Sequence, residues 1–114
     1  MFKKCIFILA TTCMMYSCTT QTETNPFLSE FQTEHGVPPF DKIKLEHYEP
    51  AFLKGIEEQN ANIDAIVNNS EAPTFENVIV ALDNSAPILD RVSAIFYNLT
   101  DAEKTPGLNE LSIK

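Results

Sequence analysis

The sequence predicts an all-α fold, and three observations support that prediction. Apolar residues recur at helical spacing through the second half of the chain, no stretch alternates apolar and polar residues with a period of two, and threonine stands at positions where helices would begin. No internal repeat is visible. The chain is therefore expected to consist of helices joined by proline- and asparagine-containing turns, preceded by a segment of different character.

Residues 1–17 are predicted to be a lipoprotein signal peptide. Lys3 and Lys4 precede a run at positions 5–16 that is apolar or weakly polar and far shorter than the roughly 20 residues of a membrane-spanning helix. The run ends at Ser17-Cys18, which resembles the lipobox at which bacterial lipoproteins are acylated and cleaved; Cys13, preceded by a threonine, fits less well. Cys18 is thus the predicted lipid attachment site. The protein is expected to be exported and held on a bacterial cell membrane, on its periplasmic or surface face, by this lipid alone. The alternative is a cytosolic protein with an apolar N-terminus and inert thiols.

Charge and cysteine content narrow the possible partners. All three cysteines lie within or at the end of the signal segment, so the mature part of about 97 residues has no disulfide to form. Cleavage removes Lys3 and Lys4 but none of the 16 acidic residues, so the formal charge changes from -8 to -10. A surface this acidic repels phosphate backbones, and nucleic acid is not expected as a partner.

The mature chain divides into a polar tether at residues 18–35 and a helical region at residues 36–114. The tether is rich in threonine, although Phe27, Leu28 and Phe31 interrupt its polarity and could dock onto the folded part. After it, Gly36 and the proline pair at 38–39 predict an extended, turn-rich approach to the first helix.

The first helix is predicted over residues 50–68, with Pro50 in its first turn and with a preceding turn from Glu46 as an alternative start. The predicted buried stripe contains Phe52, Ile56, Ile63 and Val67, with Ala51 and Ile66 on its flanks, and the polar residues at 57, 58 and 62 lie off it. Gly55 lies within this helix at a cost of about 1 kcal/mol in helix propensity, which indicates close packing at that point.

A second helix is predicted to begin at Thr74 as its N-cap, and its predicted buried face is formed by Phe75, Val78, Ile79 and Leu82. Pro87 leaves two alternatives: one helix kinked at the proline, or a separate helix capped by Ser85. The unbroken phase of the apolar stripe favours the kinked helix.

A third helix is predicted from Thr105-Pro106, with Leu108 and Leu111 on its apolar side. Barely more than one turn follows, without a glycine or proline stop signal. The chain is therefore expected to be truncated.

No catalytic or metal-binding residue is predicted in this chain. A zinc site of the His-Glu-x-x-His type places two imidazoles one helical turn apart, whereas His35 and His47 are twelve residues apart and are predicted to cap or pack. Gly-x-Ser-x-Gly and glycine-rich phosphate loops do not occur. The carboxylates at 57, 58, 83 and 90 are expected on solvated helix faces, and Arg91 is expected to pair with Asp83 or with another helix.

Several stretches in a fixed order resemble the N-terminal region of the thimet oligopeptidase family, in its peptidyl-dipeptidase and oligopeptidase A branch. The resemblance covers about 80 residues, its most specific segment is at 73–77 (PTFEN), and its departure from the family pattern is Pro87. The stretches are 25–27 (NPF), 36–43 (GVPPFDKI), 46–52 (EHYEPAF), 63–66 (IDAI), 72–82 (APTFENVIVAL), 89–92 (LDRV) and 96–100 (FYNLT).

This resemblance implies the N-terminal part of a large, two-lobed, mostly helical zinc metallopeptidase. Such an enzyme hydrolyses short oligopeptides, here with release of C-terminal dipeptides, and its zinc is bound by a His-Glu-x-x-His helix far toward the C-terminus. None of the family's catalytic residues maps onto this chain, so the fragment is expected to bind no zinc and to be inactive alone. The alternative is a stand-alone helical surface lipoprotein that binds a partner or peptide without catalysis.

Overall fold

The computed structural model describes residues 24–114. The predicted signal peptide, its lipid attachment site Cys18 and the first part of the predicted tether lie outside these residues. Within them the chain forms α1 (Leu45–Val67), a π-helix (Phe75–Val80) that continues into the short α2 (Ala81–Asp83), α3 (Pro87–Glu103) and α4 (Pro106–Ser112). Two 3₁₀ turns, Pro26–Leu28 and Glu34–Gly36, precede α1. The described part contains no strand, so the all-α prediction is confirmed.

Helix α1 begins at Leu45, next to the alternative start at Glu46, because the side chain of His47 caps its first turn. The backbone N–H of Lys44 donates to Nδ1 of His47 at 3.1 Å, which closes the first turn. Pro50 is the sixth residue of the helix. Its missing N–H removes only the bond to the carbonyl of Glu46, an exposed residue that water can reach.

The buried face of α1 differs from the predicted stripe. Phe52 packs against the core as predicted, and Tyr48, Ala51 and Gly55 are buried, whereas Ile56 is nearly half exposed and Val67 is 75% exposed. The reason is the approach of α3. A Cβ atom at Gly55 would lie 2.7 Å from the backbone N of Leu89, so the two helices meet backbone to backbone. The close packing expected at this glycine is therefore confirmed.

An aromatic cluster joins the N-terminal segment to α1 and α3. The ring of Phe27 lies 5.1 Å from that of Tyr48, which lies 5.3 Å from Phe96, which in turn lies 5.4 Å from Phe52. Burial raises the pKa of the Tyr48 phenol. The buried core consists of Phe27, Tyr48, Ala51, Val92, Ile95, Phe96 and Leu108.

Phe27, in the segment assigned to the tether, is completely buried, and Phe31 packs against the core. Their expected docking is thus confirmed, whereas Leu28 is exposed. Arg91 holds this segment from α3, since its Nη1 donates to the carbonyl of Phe27 at 2.8 Å and its guanidinium lies 5.7 Å from the ring of Phe31. Residues 25–31 are therefore part of the packed structure.

The second predicted helix is divided at residues 84–86, so the favoured kinked helix is wrong. Pro87 occupies the first turn of a separate helix, α3, whose N-cap is Ala86 rather than Ser85. Contacts with α1 determine this break. Asn62 Nδ2 donates to the carbonyl of Ser85 at 2.8 Å, and Oε2 of Glu58 accepts from the N–H of Ile88 at 3.3 Å. Asn62 and Glu58, which the sequence placed off the buried stripe, thus lie at the α1–α3 contact.

The caps of the remaining helices are as predicted. Thr74 Oγ1 accepts from the N–H of Asn77 at 3.1 Å, and the Thr105 side chain accepts from the N–H of Leu108 at 3.4 Å. The predicted buried face of the second helix is wrong, because Phe75 is 66% exposed and Ile79 and Leu82 are half exposed. In α4, by contrast, Leu108 is buried and Leu111 is partly buried against the core.

Replacing Glu58 with alanine is expected to lower the free energy of unfolding by about 1 kcal/mol, because its carboxylate acts as the missing cap of α3. The matched control is Glu57→Ala, which removes an exposed carboxylate paired with Lys54 at 2.8 Å. Urea unfolding followed by circular dichroism should show the larger loss for Glu58→Ala. Equal losses in the two variants would contradict the capping role.

Candidate functional site

The two histidines of the chain do not form a metal site. Among residues 24–114 no group of three or more histidine, cysteine or acidic side chains is placed to hold a metal ion. His47 is buried and its Nδ1 accepts the Lys44 N–H, while His35 is exposed in the turn Glu34–Gly36 with φ of 59°. The predicted capping role of His47 is confirmed. This part of the chain does not fit a catalytic zinc.

Two of the sequence stretches that carry the family resemblance serve as structural connectors. Asn25 Oδ1 accepts from the N–H of Phe27 at 3.1 Å, and its Nδ2 donates to the carbonyl of His47 at 2.7 Å. The stretch at 25–27 thereby fixes Phe27 in the core and attaches it to the first turn of α1. Asn25 was not singled out by the sequence, since an asparagine before a proline marks only a turn.

The stretch at 73–77 builds a reciprocal cap. Thr74 and Asn77 exchange two bonds, because Asn77 Oδ1 also accepts from the N–H of Thr74 at 2.7 Å. Asn77 Nδ2 donates in addition to the carbonyl of Ala72 at 3.0 Å. The asparagine thus takes the place of the usual glutamate of a capping box, and it also holds the turn that precedes the helix.

The acidic residues considered as candidates have separate structural surroundings. Glu58 caps α3, as described above, so it does not lie on a solvated face as expected. Glu57 forms a hydrogen bond that raises the pKa of Lys54. Asp83 and Asp90 are exposed on different helices, and Arg91 contacts the N-terminal segment, which corrects the expected pairing with Asp83. No arrangement suited to acid–base catalysis results among the described residues.

A furrow lies between α1 and α4, here called the α1–α4 groove, with a volume of about 610 Å³. Its α1 wall is the ridge Leu45, Glu49 and Leu53, at spacing i, i+4, i+8. Gly107 lies opposite, so close to Leu45 that a Cβ there would be 2.6 Å from Leu45 Cδ2. The full lining is Leu45, Glu46, Glu49, Pro50, Leu53, Gly107, Glu110, Leu111 and Lys114.

The groove continues into a second hollow of about 420 Å³ on the α3 side. Leu53 and Leu111 line both, and the second adds the nearly half-exposed Ile56 and the 60% exposed Tyr97. The result is an elongated apolar furrow. Its lining has the character of a protein contact surface.

Charge on the α1–α4 groove is mostly negative. Glu49 is paired with Lys114 Nζ at 2.6 Å. Glu46 and Glu110 are exposed on the same lining and form no ion pair with another described residue within 4 Å. The groove thus combines an apolar floor with an acidic rim. Neither feature was singled out by the sequence, because α4 contributes half of the walls from a distant part of the chain.

Comparison with known proteins finds relatives that are dipeptidyl carboxypeptidases or oligopeptidase A. Dipeptidyl carboxypeptidase of Salmonella typhimurium is 40% identical over 88 residues, which are 77% of this chain and 13% of the relative. Dipeptidyl carboxypeptidase of Escherichia coli is 39% identical over 90 residues, 79% of this chain and 13% of the relative. Oligopeptidase A of Escherichia coli is 31% identical over 87 residues, which are 76% of this chain and 12% of the relative. No protein-family model matches. The chain spans about one eighth of the length of these curated relatives.

Proposed function

Because these relatives confirm the resemblance to the thimet oligopeptidase family, in its peptidyl-dipeptidase and oligopeptidase A branch, we propose that the chain is the N-terminal part of an exported zinc metallopeptidase. The proposed enzyme hydrolyses short oligopeptides and releases C-terminal dipeptides. The observation that carries this proposal is the 40% identity to a dipeptidyl carboxypeptidase over 77% of the chain.

The chemistry is proposed for the remainder of the enzyme. When bound there, zinc would polarise the scissile carbonyl and activate a water molecule. The described residues have structural roles. Asn25 and the Thr74–Asn77 pair stabilise the turns before two helices, and the aromatic cluster packs α1 against α3. This segment alone is expected to be inactive.

The exposed apolar residues are consistent with a segment that other helices cover. Phe40, Phe75 and Tyr97 are each more than half exposed, and apolar residues of α1, the π-helix and α2 are exposed as well. Exposed apolar side chains on several elements are expected where a segment packs against further helices of a larger protein. This supports a place in a larger protein.

The experiment that tests the proposal is to sequence the gene beyond codon 114 and assay its product. We expect an open frame that reaches a His-Glu-x-x-His helix, and a purified product that releases dipeptides from an unstructured decapeptide, as followed by mass spectrometry. A chelator should abolish this activity and added zinc should restore it. A stop codon directly after codon 114 would contradict the proposal.

A stop codon there would favour the second candidate, a stand-alone helical lipoprotein that binds a partner or peptide. The observation that favours this candidate is the α1–α4 groove, an open apolar furrow of about 610 Å³ with an acidic rim.

Lipid attachment at Cys18 is part of the proposal and gives a separate prediction. Mass spectrometry of the membrane fraction should find a diacylglyceryl-modified N-terminus at Cys18, and Cys18→Ala should release the protein from the membrane. Cys13→Ala is the matched control and should leave the protein anchored. An intact Met1, or release by the Cys13 variant alone, would contradict the assignment.

A further inference from the structure

We propose that the α1–α4 groove binds an amphipathic helix from the remainder of the proposed peptidase, and that this helix presents two or three apolar side chains flanked by lysine or arginine. The inference rests on the proposed function, because it assigns the occupant to the same longer protein. It goes beyond that function by naming the binding surface on this chain and the apolar and basic character of the helix that binds it.

The shape of the groove indicates a helical occupant. Leu45 and Leu53 lie eight residues apart on one wall, a distance of about 12 Å along α1, or roughly two helical turns. Gly107 and Leu111 lie one turn apart on the other wall. Two such ridges leave a furrow that a third helix can fill by ridges-into-grooves packing. Recognition by β-strand addition would need a free sheet edge, and residues 24–114 provide no strand.

The apolar floor determines which face of the partner is buried. Leu53 is 63% exposed and Leu45 is nearly half exposed, and both line the groove together with the partly buried Leu111. Covering these side chains would remove apolar area from water, which is the main source of affinity in helix-in-groove recognition. The occupant must therefore present apolar residues toward α1 and α4.

The rim determines the charge of the partner. Lys114 is engaged by Glu49, so Glu46 and Glu110 are the acidic groups that a partner would meet. Cationic side chains beside the apolar stripe would complement them, whereas acidic side chains would be repelled. A second copy of this chain would bring the same acidic rim to the contact. For this reason we assign the occupant to a basic helix and not to a dimer.

The test uses two fluorescein-labelled, amidated 18-residue helical peptides with leucine at i, i+4 and i+7. One peptide carries lysine beside the leucines and the other carries glutamate. Fluorescence anisotropy with the 114-residue chain should show binding of the lysine peptide about tenfold tighter than that of the glutamate peptide at low salt. Equal affinity for the two peptides would overturn the assigned charge.

Variants then locate the binding site. Glu46→Lys combined with Glu110→Lys should weaken binding of the lysine peptide by about fivefold or more. The control is Glu34→Lys combined with Glu71→Lys, which changes charge equally at exposed positions outside the groove and should have no comparable effect. Leu53→Asn should also weaken binding. Because Leu53 is 63% exposed, this substitution is expected to leave the chain folded. Binding that is unaffected by the groove variants would overturn the location.

The full-length enzyme distinguishes the source of the helix. If its own helix fills the groove, the lysine peptide should bind the full-length protein much more weakly than it binds the 114-residue chain. Equal binding to both would overturn the assignment to the same polypeptide while leaving the peptidase proposal intact, since activity and gene length test that proposal independently. Self-association of the 114-residue chain through the groove, abolished by Leu53→Asn, would favour a second copy and also overturn the inference.

Discussion

Replacing Phe27 with alanine is expected to lower the free energy of unfolding by about 3–5 kcal/mol, the usual cost of removing a buried phenylalanine from a packed core. Phe27 is fully buried, and its ring contacts those of Phe31 and Tyr48. Its loss would leave a cavity at the junction of the N-terminal segment with α1 and α3. Because the free energy of unfolding of a typical domain is only about 5–15 kcal/mol, this single change should remove a large share of the stability.

The measurement is urea unfolding of the wild-type chain and the variant, followed by circular dichroism. Phe75→Ala is the matched control, since the same side chain is removed from a position that is 66% exposed. It should change the unfolding midpoint little. A small effect of Phe27→Ala, comparable to that of Phe75→Ala, would show that residues 25–31 do not contribute to the core.

Replacing Gly55 with alanine is expected to destabilise the chain by about 1–3 kcal/mol, although alanine favours a helix by about 1 kcal/mol more than glycine does. The added Cβ would lie 2.7 Å from the backbone N and 2.9 Å from Cα of Leu89. Backbone atoms cannot turn aside as the end of a side chain can, so α1 and α3 would have to separate along their main contact.

Gly107→Ala supplies the control for this prediction. Its Cβ would meet Cδ2 of Leu45 at 2.6 Å, and that atom is the end of a flexible, nearly half-exposed side chain. Leu45 can change rotamer, so the expected loss is smaller than at Gly55. Thermal unfolding of both variants makes the comparison, and a stabilised Gly55→Ala protein would contradict the close approach of the helices.

The local rules of the sequence predicted the two threonine caps. Thr74 and Thr105 cap their helices because a threonine hydroxyl accepts a bond from an N–H two or three residues ahead, and that geometry needs no distant partner. The glycine inside α1 likewise indicated close packing, since a helix tolerates the cost of glycine where another backbone approaches.

Predictions of which face is buried were less successful, because a helix cannot specify its neighbours. Phe75, Ile79 and Val80 of the π-helix are exposed although their spacing is helical, and they would be buried only against a further surface. In α1, Gly55 meets the backbone of Leu89, and Tyr48 and Phe52 contact Phe96 of α3, whereas the predicted Ile56 and Val67 are exposed.

The sequence by itself determined the all-α class, the threonine caps at 74 and 105 and the family, because these depend on local hydrogen bonding, periodicity and the order of short motifs. Tertiary structure alone decided the break before Pro87, the anchoring of Phe27 by Arg91 and the α1–α4 groove. Each depends on residues far apart in the chain: Glu58 with Ile88, Arg91 with Phe27, and Leu45 with Gly107. Such pairs stabilise the fold only when packing brings them within contact distance. The spacing of residues along one helix does not indicate which residues of another helix they will contact.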